Sequence, residues 1–188
     1  DNLDAVNRVF TFTGADETIQ LTASGAQSFI ESTLGESVLF THPTTSLTIN
    51  STNGTDTINL STIGAAFTAN VTINSNAAST VDFNNATGLN VGGGNVVIDA
   101  AGTINFSAGS LTTAGNVTLS NVGTGGVTAN AADVDIAANG LTISSVGAIG
   151  TVANPLRTSV TTVTSASTTG TAAGIFLTET DAVTLTSV

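Results

Sequence analysis

The sequence contains no cysteine, methionine, tryptophan or tyrosine among its 188 residues. Without cysteine the chain has no disulfide, no thiolate nucleophile and no cysteine-based metal site. Eight phenylalanines are the only residues of the Phe, Trp and Tyr class. A site that stacks sugar rings or bases on aromatic side chains therefore has few residues to draw on.

Positively charged residues are scarce as well. Arg8 and Arg157 are the only Lys or Arg residues, and 13 acidic residues give a formal net charge of −11. Because neutralising phosphates requires Lys and Arg, we expect no nucleic-acid partner, and an anionic membrane surface is disfavoured for the same reason. No stretch approaches the ~18 consecutive apolar residues that a spanning helix needs, so we expect no membrane insertion.

A short alternating unit recurs along most of the chain: an apolar residue, a small polar residue and a second apolar residue. Alternation with a period of two is typical of a β-strand, because successive side chains point to opposite faces. Thr and Val also suit a pleated surface. The unit occurs at 47–49, 71–73, 81–83, 104–106, 117–119, 134–136, 141–143 and 183–185.

Glycine and asparagine clusters such as Asn53-Gly54 and Asn139-Gly140 separate these strands and mark turns. Many short strands fit a sandwich, a barrel or a solenoid. A sandwich favours strands of about five or six residues. We therefore predict an all-β protein, a right-handed parallel β-helix (β-solenoid), with coils of roughly 20 residues and about nine coils in all.

We find no linker, so residues 1–188 are predicted to form a single β-solenoid domain or segment. Residues 1–46 are expected to be a divergent or capping region, since four of the eight phenylalanines lie there. Residues 26–36 are the least strand-like part of the chain. For them we expect a loop or a short helical turn.

Residues 140–160 and 174–185 resemble the repeats of filamentous-haemagglutinin-like proteins, which are giant bacterial surface proteins. The resemblance rests on Ile149-Gly-Thr, Asn154-Pro-Leu and Gly174-Ile-Phe-Leu. The segments 94–98 and 114–119 resemble the generic coils of those proteins, so the likeness covers roughly residues 47–188. It implies a right-handed parallel β-helix, export across the cell envelope, and an extracellular rod at the bacterial cell surface.

The sequence offers little for catalysis, so we predict that the protein is not an enzyme. A glycan-cleaving site needs clustered acids or a basic proton acceptor. The two arginines are far apart in sequence, and no such cluster is present. His42 is the only histidine, and its turn-like surroundings favour an exposed loop residue over a metal ligand or a Ser-His-Asp site.

Two pairs of acidic residues have a spacing at which both side chains lie on one face of a strand: Asp133 with Asp135, and Glu179 with Asp181. Oxygen ligands in this arrangement can hold Ca²⁺ when neighbouring coils add carbonyl groups. The alternative is that they are solvated charges that keep the protein soluble. Calcium is the only cofactor that the sequence suggests, and we predict no catalytic residue.

The function that these observations favour is a structural or adhesive rod segment of a large bacterial surface protein. The expected partners are identical chains or neighbouring segments, end to end, and host-cell or matrix glycans. The alternative is a self-assembling filament or sheath subunit. A glycan-binding module, an ice-binding protein and a polysaccharide-active enzyme have less support, because aromatic residues, a regular Thr-x-Thr array and an acid cluster are all missing.

Overall fold

The computed structural model describes residues 4–35, 37–76, 79–129, 133–171 and 173–187, and these residues form eighteen strands and no helix. Parallel coils stack into a β-solenoid of about 6 turns, which confirms the predicted fold class. The first strands are β1 (Asn7–Phe12), β2 (Thr18–Ser24), β3 (Gln27–Ser32), β4 (Val38–Phe40), β5 (Ser46–Ser51), β6 (Thr57–Leu60), β7 (Asn70–Ser75), β8 (Thr80–Asp82) and β9 (Leu89–Asn90). The remaining strands are β10 (Val96–Ala100), β11 (Thr103–Asn105), β12 (Leu111–Thr112), β13 (Asn116–Asn121), β14 (Gly126–Thr128), β15 (Ile136–Ser145), β16 (Leu156–Thr168), β17 (Leu177–Glu179) and β18 (Thr184–Leu185).

The strands form two sheets, which run along the length of the solenoid. The 11-stranded sheet has the order β1-β5-β7-β10-β13-β15-β12-β9, and β16 joins β15 to β17 and β18. The 7-stranded sheet has the order β14-β11-β8-β6-β2-β3-β4. Every pairing between coils is parallel, and only β3 pairs antiparallel, with β2 and β4.

The coils are longer than the sequence predicted. Equivalent positions in successive coils are 21 residues apart between Asn95 and Asn116 and 25 apart between Asn70 and Asn95. Between β1 and β5 the separation is 39 residues, because the antiparallel strands β3 and β4 are inserted in the first coil. These lengths explain why about 6 turns are formed rather than the roughly nine predicted from short strands.

The residues 26–36, which we expected to form a loop or helical turn, include strand β3. The prediction was wrong because β3 alternates buried Ser28 and Ile30 with more exposed Phe29 and Glu31, and a buried serine hides the apolar alternation. Glu36 lies outside the described residues.

Inward side chains of successive coils lie directly above one another. Ile49, Ile73, Ile98 and Leu119 are cross-strand neighbours in one column and are all fully buried. The rings of Phe83 and Phe106 stack in parallel with centroids 4.5 Å apart. Burial of apolar surface at about 25 cal/mol per Å² makes these columns the main source of stability. The parallel columns include Leu47, Val71, Val96, Val117 and Leu141, and, in the other sheet, Ile19, Ile58, Val81, Ile104 and Val127.

The motif that carries the family resemblance forms a closed turn between β15 and β16. Gly150 has a φ of 64°, and a Cβ at this position would overlap the Phe176 carbonyl oxygen of the next coil. The Thr151 N–H donates to the Asn154 carbonyl oxygen at 2.9 Å, and the Asn154 N–H donates to Thr151 Oγ1 at 2.9 Å. Close contact between coils therefore requires glycine at 150, and the Thr151 hydroxyl closes the turn on the backbone of Asn154.

A buried acidic residue joins the first three coils at a corner of the solenoid. Asp56 is almost fully buried, and its carboxylate accepts hydrogen bonds from the Glu17 N–H at 2.8 Å and from the Ser51 hydroxyl. Its own N–H donates to Ser79 Oγ at 2.9 Å. The donors to the carboxylate are buried and need an acceptor inside the protein. The contacts of Asp56 with Glu17 and Ser79 join it to the coils on either side.

Replacing Asp56 with alanine is expected to lower the free energy of unfolding by about 3 kcal/mol, because the buried Glu17 N–H loses its acceptor and Ser51 keeps only a long contact of 3.5 Å with Asn76 Oδ1. Asp56→Asn is the matched control, since its amide keeps one oxygen for Glu17 and can donate to Ser51, and it should cost about 1 kcal/mol. Denaturant unfolding followed by circular dichroism measures both. Equal costs for the two variants would show that the buried acceptor is not what Asp56 supplies.

Candidate functional surfaces

The solvent-facing side of the 11-stranded sheet carries regular columns of small polar side chains. Thr48 and Thr72 are cross-strand neighbours, as are Thr118 and Thr142. Val97 takes the position between these two pairs. Since neighbouring strands are about 4.8 Å apart, the two hydroxyl groups of each pair are separated by about this distance, and Val97 interrupts the column between the pairs.

Asparagines form a second column on this sheet, and the side-chain oxygens of Asn70, Asn95 and Asn116 each accept a hydrogen bond from an asparagine of the next coil. Asn70 Oδ1 accepts the Asn95 N–H at 2.8 Å, and Asn95 Oδ1 accepts the Asn116 N–H at 2.8 Å. Asn139 Nδ2 then donates to Asn116 Oδ1 at 3.1 Å. These contacts fix the register of the coils, so part of the polar surface has a structural role.

The 7-stranded sheet carries a similar pattern. Thr57, Thr80 and Thr103 are cross-strand neighbours in one column. Beside it, Asp82 accepts the Asn105 amide N–H at 3.0 Å. Each threonine is followed two residues later by Asn or Asp. The regular Thr-x-Thr array that an ice-binding interpretation calls for is therefore not present in these three strands.

The two aspartates of the first predicted calcium pair differ in their surroundings. Asp133 is exposed, whereas Asp135 is buried and its Oδ2 accepts the Arg157 N–H at 2.8 Å. Both residues line a small notch of about 40 Å³, together with Ser110. One of the two carboxylates is thus already engaged in holding β16 against the preceding coil.

In the second pair, too, one carboxylate is bonded within the fold and the other is exposed. Glu179 accepts hydrogen bonds from Thr158 Oγ1 at 2.7 Å and from the Val160 N–H at 3.1 Å. Asp181 is exposed and accepts a hydrogen bond from Ser159 Oγ at 3.3 Å. Within the described parts of the chain, no three His, Asp or Glu side chains come together as a metal site.

The two pairs are not brought together by the fold. Ile136, next to Asp135, is the cross-strand neighbour of Thr158, and Thr158 is the neighbour of Glu179. Two strand spacings, about 10 Å, therefore lie between the pairs. Calcium binding by either pair stays a prediction. In such a site, main-chain carbonyls and water would supply most of the six to eight oxygen ligands.

His42 is more closely packed than its sequence context indicated. Its Nε2 lies 3.1 Å from Ser28 Oγ, and its ring meets the Phe67 ring edge-on at 5.0 Å. Burial lowers the pKa of His42 below the ordinary histidine value of 6.5. Ser28 has no exposed surface, and no carboxylate bonds to His42 in the described residues, so this contact lacks the features of an accessible nucleophile.

Cavities lie at the two ends of the described solenoid, and Thr11, Thr13 and Glu17 make the lining of the N-terminal one partly polar. The N-terminal cavity, about 320 Å³, is lined by residues that include Phe10, Phe12, Ile30, Leu34 and Val38. The C-terminal cavity, about 300 Å³, is lined by Val163, Ala166, Ile175, Leu177 and Leu185. Sequence reasoning missed both, because the end of a stack of coils is not visible in a repeating pattern.

The described residues contain no helix of the length and hydrophobicity needed to cross a membrane. No protein-family model, curated protein or solved structure matches the chain. The fold is thus established by the structure, and the filamentous-haemagglutinin-like resemblance rests on the repeat motifs alone.

A weak calcium site at Asp133 and Asp135, with a Kd of about 1 mM, is expected to raise the free energy of unfolding by about 1.4 kcal/mol in 10 mM calcium. Asp133→Asn should abolish this gain without changing stability in EDTA, because Asp133 is exposed. Thermal unfolding of both proteins, with and without calcium, measures the difference. Identical curves for the parent chain in calcium and EDTA would show that this pair does not hold calcium, and would leave Asp135 in a structural role, accepting the Arg157 N–H.

Proposed function

We propose that this chain is a structural or adhesive rod segment of a large extracellular protein at a bacterial cell surface. The observation that carries the proposal is the register of the outward Thr and Asn columns over successive coils. Such a solenoid gains stability coil by coil and can be lengthened without a new core design. The filamentous-haemagglutinin-like motifs at 140–160 and 174–185 support the same function.

The adhesive part of the proposal assigns glycan binding to the face of the 11-stranded sheet. Its hydroxyl columns offer donors and acceptors at a fixed spacing, as in Thr72 and Thr118. Stacking on sugar rings is not the mode proposed, because Phe40, Phe67, Phe83 and Phe106 are all buried. The net charge of −11 favours neutral glycans over sulfated ones, which the protein would repel.

Glycan arrays and cultured host cells test this assignment with the purified chain. Glutamate at both Thr72 and Thr118 is expected to weaken binding at least about tenfold, through lost hydrogen bonds and added charge. The matched control places glutamate at Thr57 and Thr103 on the other sheet and should bind normally. Equal loss in both double variants, or no binding by the parent chain, would contradict an adhesive face and leave a purely structural rod.

The alternative function is a self-assembling filament or sheath subunit, and the open cavities at both ends, with their exposed leucines, favour it. Leu34 beside the N-terminal cavity is 64% exposed, and Leu185 beside the C-terminal cavity is 56% exposed. Arg8 weighs against it, because this charged residue takes the inward position that Leu47 and Val71 have in the next coils. Inward charges at the end of a sheet oppose edge-to-edge pairing.

Electron microscopy over a range of protein concentrations, with and without calcium, separates the two functions. A filament subunit should form regular filaments that Leu34→Asp and Leu185→Asp each abolish. Val152→Asp is the control, because Val152 is 82% exposed and is absent from the lining of either end cavity. Dispersed particles at every concentration are the outcome that the rod-segment proposal predicts.

A further inference from the structure

The segment Val38–Pro43, which we call the flap, contacts the second coil through His42. Strand β4 within the flap has only three residue pairs with β3. Beyond β4, His42 Nε2 meets Ser28 Oγ at 3.1 Å, and the Gly64 N–H donates to the same oxygen at 3.1 Å. The flap, strand β3 and the loop 61–69 of the second coil therefore meet at the buried hydroxyl group of Ser28.

The fit around this hydroxyl group is tight. A Cβ on residue 64 would overlap both His42 Nε2 and the Gln27 carbonyl oxygen, so glycine is required by contact with the flap. The Phe67 ring packs edge-on against the imidazole. The loop consequently holds the imidazole in place on two sides.

The hydrogen bonds at Ser28 define the protonation state of His42. Gly64 can only donate, so we assign the proton of the Ser28 hydroxyl to the contact with His42 Nε2, which then accepts it. His42 is then neutral, with its proton on Nδ1. If Nε2 also carried a proton, the buried Ser28 O–H would have no acceptor, because its oxygen has no other partner in the described residues. A buried donor without an acceptor is destabilising.

The charged groups near the flap do not offset this cost. Arg8 Nε donates to the Thr41 carbonyl oxygen at 2.8 Å, and its guanidinium lies 5.5 Å from the Phe40 ring centroid, so it places positive charge beside His42. Glu31 lies on the outward side of β3, opposite Ser28, and Asp4 is exposed ahead of β1. The loop 61–69 contains no charged residue.

We propose that His42 is an acid-sensitive latch whose protonation releases the flap and opens the N-terminal end of the solenoid core. Phe40 of the flap is fully buried, and its ring lies 5.0 Å from that of Phe10. Val38 of the flap lines the N-terminal cavity together with Ile30. Release of the flap exposes Phe40 and widens the cavity of about 320 Å³.

The direction of the pH effect follows from the lowered pKa of His42 in the closed state. Above the ordinary value of 6.5, histidine is neutral in both states and the latch contributes fully. As the pH falls below that value, the open state binds a proton that the closed state does not, so the closed state loses stability. The loss is complete once the pH is below the closed-state pKa.

Hydrogen exchange followed by mass spectrometry tests the latch in the intact chain. Corrected for intrinsic rates, exchange in residues 38–43 should be several-fold faster at pH 5 than at pH 7.5, while residues 116–121 in β13 stay unchanged. His42→Gln is the matched variant, because its side-chain oxygen can accept the Ser28 proton and does not titrate. It should abolish the pH dependence in the flap.

Nuclear magnetic resonance of the parent chain gives a second measurement that does not depend on the folding of a variant. His42 is the only histidine, so its ring signals are unambiguous. We expect a midpoint below 6.5 and, at neutral pH, the Nδ1–H tautomer. A midpoint at or above 6.5, or equal pH dependence of flap exchange in the parent chain and His42→Gln, would overturn the proposal.

Discussion

The in-register stacking of inward side chains from coil to coil is the constraint on which the whole structure depends. Leu47, Val71 and Val96 form one such column. Each side chain buries apolar surface only if the neighbouring coil presents an apolar side chain at the same position. A shift of one residue would turn every such side chain outward. The asparagine contacts at Asn70, Asn95 and Asn116 oppose that shift, because their side chains bond to the backbone of the next coil.

The same constraint determines where function can reside. Outward positions are free to vary in chemistry as long as they stay small and do not set like charges above one another. The ends are different, because a terminal coil lacks a neighbour on one side. In the first coil, Arg8 takes an inward position and the inserted strands β3 and β4 extend the 7-stranded sheet. The flap and its histidine belong to this end, where strand β4 has only three residue pairs with β3 and no strand beyond it among the described residues.

The tripeptide pattern was sufficient to predict the all-β class and the solenoid, since units such as Val71-Thr72-Ile73 lie in strands with both apolar residues buried. Two units depart from this: Val134 and Asp135 precede β15, and Leu185 in β18 is exposed because it lies in the last described coil. Coil length was not predictable, because the corners are built from Gly, Asn and Ser of variable number. Strand β3 was missed because buried Ser28 looks polar in sequence. The contact of Ser28 with His42 joins residues 14 apart in the chain, and its second donor, Gly64, comes from another coil. Among the predicted site residues, Asp133 and Asp135 were expected on one face of a strand, whereas both precede β15, and Asp133 is exposed while Asp135 is buried.

Disulfide trapping between neighbouring coils tests the stacking register most directly, because the chain has no cysteine of its own. Thr118 and Thr142 are direct cross-strand neighbours, so their Cα atoms should be about 5 Å apart, within the range that a disulfide spans. The register predicts rapid and complete oxidation of the Thr118→Cys, Thr142→Cys variant. It predicts none for the Thr72→Cys, Thr142→Cys variant, whose positions are three strands apart. Oxidation of the second variant in preference to the first would contradict the register.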